Sequence, residues 1–300
     1  MDIYLNGRML GPDDAQVAVT DAGLQHAVGL FETFQAYHGT AFRLDAHLAR
    51  LADSAHALGL AASLNPAPLA EAVRQTIKHN KIDRARLRLT LTAGTLSLLK
   101  GDDSTAPQVR QTVAVVPSEP TRFAEGYFEK GISVVVHGPG ANPFDETAGR
   151  KTLNYWERLR SLRRAATVGA GEAIWLNVTN HLASGAVSNV MLVKDGTLLT
   201  PFARGEEVKG ALAAPVLPGI TRAAVLECAQ TLGVDVVRRM LTVEDLLEAD
   251  EVLLTNSGWG VLPVTKIEKH TVGAGVAGKL TTQLRADYLA LVERETSASS

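Results

Sequence analysis

Lys151 stands next to Arg150 in "ETAGRKTLNYWER", where a glycine-bearing loop gives way to a helical pattern. On a solvated surface two adjacent cations need no explanation. Near a pocket, like charge pushes a lysine toward its neutral, nucleophilic form. Three further places could hold an anion. Pro218-Gly219-Ile220-Thr221 opens a helix, whose free N–H groups and dipole favour a phosphate. "TNSGWG" at 255–260 is a polar, glycine-containing turn leaving a strand. Arg50, inside a helical stretch, could supply the charge. Each is weak alone, and taken by itself the first is better read as an ordinary helix start with proline at its entrance.

Other chemistries lack their residues. The chain has no P-loop, no GxGxxG and no GxSxG elbow. Its eight histidines and one cysteine show no zinc-like spacing, so no metal site is expected. The single cysteine, Cys228, sits in an apolar helical pattern as a core residue and excludes disulfides within the chain. With 30 Lys+Arg against 32 Asp+Glu the net charge is -2, which carries no footprint of nucleic-acid or anionic-membrane binding. A small, neutral-to-anionic partner fits that balance. No apolar run approaches a membrane span, and "MDIYLNGRML" lacks the regions of a signal peptide, so a cytoplasmic location is expected.

The elements that must position these residues read as two domains of mixed strands and helices, 1–119 and 120–300. "DIYLNGRML" and "VGLFETFQAYHGTAFRL" predict strands turning at Asn6-Gly7 and His38-Gly39. "DAHLARLADSAHALGL" predicts a helix with Asp45 as its cap, and a second helix runs from about Pro68 to His79. His47 and His56 lie on the first of these, with a bland surface role for His56. "RARLRLTLTAG" alternates as a half-buried strand whose polar face carries Arg86 and Arg88. Those arginines are either solvated or grip a carboxylate through paired hydrogen bonds. "PSEPTRFAEG" is the linker candidate. Beyond it, "GISVVVHG", "EAIWLNV" and "SNVMLVKDGTLLTP" predict strands, the last bending at Asp195-Gly196. A helix is expected from about Thr152 to Thr167, another after Pro218-Gly219, and a short one capped by Thr242 before a strand ending at Ser257. The tail "ETSASS" is expected to fray.

Taken together and in order, "GLFETFQAYHGTAFRLDAHLARL", "GRKTLNYW", "GAVSNVMLVKDGTLLTP", "LPGITRAAV" and "ADEVLLTNS" resemble the fold-type IV, or class IV, pyridoxal-phosphate enzymes. That family includes branched-chain and D-amino acid aminotransferases and aminodeoxychorismate lyase. The resemblance implies a mixed α+β / α/β fold, with a small N-terminal α/β domain and a larger C-terminal pseudo-barrel domain binding pyridoxal 5'-phosphate at the domain interface. It implies Lys151 as the Schiff-base lysine and proton shuttle, Arg50 as partner of the cofactor phosphate, Ile220 and Thr221 as helix-start amides on the same phosphate, and Ser257 as a hydroxyl beside it. Tyr155 is a weaker candidate for the cofactor's phenolic oxygen. Transamination of a small amino acid with a 2-oxo acid, in a homodimer or higher homo-oligomer, is the activity so implied.

The chain departs from the family at several positions. Where most members carry E-G-x-x-x-N, with the glutamate on the pyridine nitrogen, this chain reads "SGAVSN". Ser184 takes the glutamate position and Asn189 keeps the asparagine. A serine hydroxyl cannot hold the ring nitrogen protonated as a carboxylate does, which favours lyase chemistry, slow transamination or cofactor binding with little turnover. Another acid approaching the ring is the alternative. His26 stands where branched-chain enzymes place a tyrosine, Gln35 where they place an arginine, and Ala93 where D-amino acid enzymes and the lyase carry an arginine. Arg86 or Arg88 could replace that substrate carboxylate anchor.

Overall fold

The computed structural model describes residues 1–95, 111–124 and 126–297. Two compact units are present. The first takes the described residues of Met1–Pro120, together with Lys151–Asn154 and the chain from Glu293 on; the second takes those of Thr121–Arg150 and Tyr155–Val292.

Within the first unit the elements are β1 (Ile3–Leu5), β2 (Arg8–Leu10), α1 (Ala22–His26), β3 (Gly29–Tyr37), β4 (Thr40–Ala41), α2 (Leu44–Ala57), α3 (Pro66–His79), β5 (Ala85–Thr92) and β6 (Thr112–Ser118). The strands form one antiparallel sheet ordered β2-β1-β6-β5-β3-β4. Its hairpin turns have Asn6 and Gly7 at φ 50° and 89°, and His38 and Gly39 at φ 50° and 72°. Two consecutive positive φ values are what a two-residue turn matched to strand twist requires. Period-two alternation sends Leu30, Phe34 and Ala36 of β3 and Leu87 and Leu89 of β5 into a core closed by Leu48 and Leu51 of α2 and Val73 and Ile77 of α3. Asn65 caps α3 by accepting from the Ala67 N–H, and Pro66 follows at the first helical position. α2 lacks such a cap. It is entered through Arg43 at φ 51°, and Asp45 lies in its first turn instead of capping it.

Residues 151–154 lie along β3. The Phe31 N–H donates to the Lys151 carbonyl at 2.9 Å, the Leu153 N–H donates to the Gly29 carbonyl at 3.0 Å, and Leu30 bridges Thr152. The helix expected from Thr152 therefore begins only at Trp156, because the residues before it spend their backbone groups on β3. Gly29 makes the approach possible. A Cβ there would stand 2.7 Å from the Leu91 carbonyl and 2.8 Å from Leu153 Cδ1.

The second unit comprises α4 (Tyr127–Lys130), β7 (Ile132–Ala141), α5 (Trp156–Thr167), β8 (Glu172–Asn177), β9 (Leu182–Gly185), β10 (Asn189–Lys194), β11 (Thr197–Thr200), α6 (Ile220–Thr231), β12 (Val236–Arg238), α7 (Val243–Leu247), β13 (Glu251–Asn256), β14 (Gly260–Ile267) and β15 (His270–Thr271). The final helix α8 (Lys279–Ser297) has its last residues grouped with the first unit. The strands make a nine-stranded mixed sheet, β12-β11-β10-β13-β14-β7-β8-β9 with β15 on β14, parallel at β11–β12, β14–β7 and β7–β8. The mixed α/β class is as expected. Val190, Leu192, Leu254, Leu262 and Ile174 form its core.

Thr242 and Asp245 complete a reciprocal capping box on α7. Two other expectations shift. Pro117 and Ser118 of the linker candidate still pair with Leu87 and Arg86 in the sheet. Glu295–Ser297 of the expected fraying tail are helical, and residues 298–300 lie outside the described residues. Among the described residues no helix is long and apolar enough to cross a membrane, and no cluster of His, Cys, Asp and Glu is arranged to hold a metal ion.

Candidate active site

In the first unit, chemistry gathers on both faces of β3. Toward the core, Glu32 is 1% exposed and meets two partners from α2. Arg50 donates through Nε to Oε1 at 2.9 Å and through Nη2 to Oε2 at 2.6 Å, and His47 Nδ1 lies 2.7 Å from Oε2. The sequence held one signal of this cluster. In "GLFETFQAY" the glutamate falls in phase with Leu30, Phe34 and Ala36, on the apolar side of the strand. Burial alone would raise the Glu32 carboxyl, but the Arg50 guanidinium, aided by the His47 hydrogen bond, lowers it to about 2. His47 moves down, first because it is buried and also because Arg50 and Lys151 are positive, although Glu32 opposes the shift. The neutral imidazole therefore donates Nδ1–H to an ionised Glu32.

On the opposite face, Lys151 Nζ lies 4.4 Å from the centre of the Phe31 ring, and the Arg88 guanidinium lies 3.8 Å from the same ring. Gln35 pairs with Arg86, and Thr33 with Arg88, in the β3–β5 register, so Gln35, Arg86 and Arg88 share this face with Phe31. Of the predicted substrate residues, the structure brings these three together. His26 is exposed at the end of α1.

In the second unit the loop after β9 is held from several sides. Glu172, fully buried, accepts from the Ala173 and Ala186 N–H groups through Oε1 and from the Val187 N–H and Ser188 hydroxyl through Oε2. Burial still outweighs these four donors and leaves its carboxyl raised. Asn256 Nδ2 donates to the Val187 carbonyl at 3.2 Å. Ser184 is 4% exposed, with its neighbour Arg158 placing Nη1 3.5 Å from the hydroxyl oxygen. Tyr155 is half-buried immediately before α5.

Asn189 is a support. Its Nδ2 donates to the Leu217 carbonyl at 2.9 Å, and its Oδ1 lies against Gly219, so that any Cβ at residue 219 would collide with it. Gly219 opens α6 with no side-chain capping bond, next to half-buried Ile220 and buried Thr221. Nearby in the register, Asn189 pairs with Thr255, whose buried Oγ1 has no hydrogen-bond partner among the described residues. Ser257 follows two residues on, half-buried. A helix start without a cap, a neighbouring glycine and an unsatisfied buried hydroxyl suit a phosphate-bearing group. The loop before Lys151 is fixed in the same unit. Arg204 donates through Nε and Nη2 to the Ala148 carbonyl, at 3.0 and 2.6 Å.

Phe31, Glu32, Arg158 and Glu172 were not singled out from sequence. Arg158 lies on a helix dense in charge, where nothing in the pattern separates it from solvated neighbours.

Comparison with known proteins identifies the family. Residues 29–267 match the family model described as amino-transferase class IV. The chain is 30% identical over 292 residues to a putative branched-chain-amino-acid aminotransferase of Methanocaldococcus jannaschii, covering 96% of this chain and 95% of that one. It is 27% identical over 301 residues to a D-alanine aminotransferase of Bacillus licheniformis, with 99% of each covered. The crystal structure of the Escherichia coli branched-chain amino acid aminotransferase superposes with a TM-score of 0.86 at 29% identity, over 98% of this chain and 95% of that one. The chain belongs to the class IV aminotransferases, enzymes that use pyridoxal phosphate.

Proposed function

We propose that this chain transfers the amino group of a small amino acid to a 2-oxo acid with Lys151 as the cofactor-bearing amine. The observation that carries the reading is the clipping of residues 151–154 to β3, which fixes the Lys151 backbone and leaves Nζ over the Phe31 ring. Bound pyridoxal 5'-phosphate supplies an electrophilic aldehyde and an electron-accepting ring. Lys151 Nζ is the nucleophile for that aldehyde and the base that takes the substrate α-proton. Arg50, oriented by Glu32, answers the phosphate charge, as do the helix-start amides at Ile220 and Thr221 and the Ser257 hydroxyl. Asn189 keeps that helix start in place. By the family resemblance, Ser184 would meet the ring nitrogen and Tyr155 the phenolic oxygen. Arg86 or Arg88, on the Phe31 face, grips the substrate carboxylate.

A lyase of the aminodeoxychorismate type is the second reading, favoured by the absence of a carboxylate at residue 184. The same proposal includes a cytoplasmic location and a homodimer or larger homo-oligomer.

Reduction with borohydride should fix pyridoxal phosphate to the wild-type chain and not to Lys151→Ala, as read by mass spectrometry. Single-turnover spectra with a panel of L- and D-amino acids should then show conversion to the pyridoxamine form and release of a 2-oxo acid. No uptake of pyridoxal phosphate would sink the assignment. Pyruvate released from aminodeoxychorismate without a 2-oxo acceptor would replace transamination with the lyase.

A further inference from the structure

Ser184 has a cation beside it within the second unit. Ser184 lies on β9, opposite Trp175 of β8. Arg158, the third residue of α5, stacks its guanidinium over the Trp175 ring at 4.9 Å. Its Nη1 donates to the Ala186 carbonyl at 3.0 Å and the Gly185 carbonyl at 3.2 Å, and lies 3.5 Å from Ser184 Oγ. A guanidinium can only donate, so it meets the hydroxyl at a lone pair. The Ser184 O–H is thereby turned away from Arg158 and available to a different acceptor. The nearby acid is not that acceptor, since both carboxylate oxygens of Glu172 are taken up by Ala173, Ala186, Val187 and Ser188.

We propose that Arg158 and Ser184 form a donor relay that holds the ring nitrogen of bound pyridoxal phosphate unprotonated. Arg158 shares an Nη1 hydrogen between a loop carbonyl and Ser184 Oγ, and the Ser184 hydroxyl donates to the nitrogen lone pair. The inference rests on the reading above in which Ser184 faces the ring. Two physical terms act in the same direction. A hydroxyl proton aimed at the ring can be received only by an unprotonated nitrogen. An arginine, charged throughout the working pH range, also disfavours a second positive charge close by. Arg158 is thus a positioning residue. Its two carbonyl bonds fix the guanidinium, and the guanidinium fixes the direction of the hydroxyl.

The test uses the full chain loaded with pyridoxal phosphate carrying ¹⁵N in the ring, followed by NMR through a pH series. The wild type is expected to show a pyridine-type shift that stays flat across neutral pH. Ser184→Ala keeps the Arg158 carbonyl bonds but removes the hydroxyl. It is expected to let the signal move toward the pyridinium type as pH falls. Arg158→Leu should do the same, with Arg158→Lys restoring part of the wild-type behaviour. A purely structural role for Arg158 would change stability and leave the ring signal unmoved, which would overturn the relay. So would a pyridinium-type signal in the wild type, even with the cofactor fixed on Lys151. A wild-type chain that takes up no labelled cofactor would instead overturn the parent reading, and the relay with it.

Discussion

Glu32 and Glu172 are both buried glutamates, 1% and 0% exposed, and their carboxyls are displaced in opposite directions. Water has been removed from each, which penalises the charged form. What differs is the partner. Glu32 receives a two-pronged guanidinium and an imidazole N–H, whereas Glu172 receives three backbone amides and a hydroxyl. Neutral dipoles satisfy hydrogen bonds without repaying the full cost of desolvating a charge, while a cation in contact does repay it. One glutamate is therefore an anion at neutral pH that orients Arg50, and the other serves as an acceptor that shapes the loop from Gly185 to Ser188. The sharpest way to break the comparison is to remove the cation. Arg50→Leu leaves Glu32 buried and facing only His47, and should cost about 3–5 kcal/mol in urea unfolding of the cofactor-free chain. A loss under 1 kcal/mol would mean that Glu32 does not depend on Arg50.

The pH dependence of folding should separate the two acids by sign. Glu32 falls from the ordinary 4.5 to about 2. A depressed carboxyl contributes stability above pH 4.5 and loses it as pH falls toward 2, roughly 3 kcal/mol for a shift of that size. His47, lowered from 6.5, acts in the same sense, losing its contribution as acid charges the buried ring. Glu172 is raised from 4.5, so its contribution is complete below that value and declines as pH rises through the shifted one. Denaturant midpoints measured from pH 3 to 8 should flatten on the acid side in Glu32→Gln. In that variant an unchanged acid slope would refute the assignment.

Glu172→Gln carries a smaller expected cost. The amide retains one carbonyl oxygen but turns an NH₂ toward groups that are themselves donors, either the pair at Ala173 and Ala186 or the pair at Val187 and Ser188. A loss of about 1–3 kcal/mol follows from leaving buried donors unmet. The cost should be larger below the ordinary carboxylate range, where the wild type has the full contribution of its raised Glu172, than above the shifted value, because the amide does not titrate. A constant difference across pH would show that the charge of Glu172 plays no part.

These two acids also mark how far the sequence could be read. Local signals carried well. The Asn-Gly, His-Gly and Asp-Gly turns, the helix ending at His79 and the Thr242 cap depend on neighbours a few residues away, and they stand where the pattern placed them. Contacts between distant segments did not carry. The helix expected from Thr152 starts at Trp156 because residues 151–154 pair with a strand more than a hundred positions earlier. Lys151 and Arg50 stood out because motifs marked them. Glu32, His47 and Arg158 acquire their meaning only when β3 meets α2, or α5 meets β9. The glutamate in phase with the apolar residues of β3 was the one local trace. Arg158, lying among Arg160, Arg163 and Arg164 on the same helix, left none.

The smallest predicted effect concerns the start of α6, where support and binding can be separated. Asn189 Oδ1 occupies the place a side chain at residue 219 would take, while Asn189 Nδ2 holds the Leu217 carbonyl. Gly219→Ala should force the amide aside and misplace the first N–H groups of the helix. At φ −69° the backbone itself tolerates alanine, so the strain arises from the collision and not from the conformation. Unfolding free energy should fall by about 1–2 kcal/mol, with a parallel weakening of pyridoxal phosphate affinity measured by fluorescence titration. Asn189→Ala removes the obstacle and the tether together. In a double-mutant cycle, Gly219→Ala should therefore cost less in the Asn189→Ala background than in the wild type, because residues in contact are not additive. Additive losses would show that the crowding is relieved elsewhere and that Asn189 does not determine the geometry of the helix start.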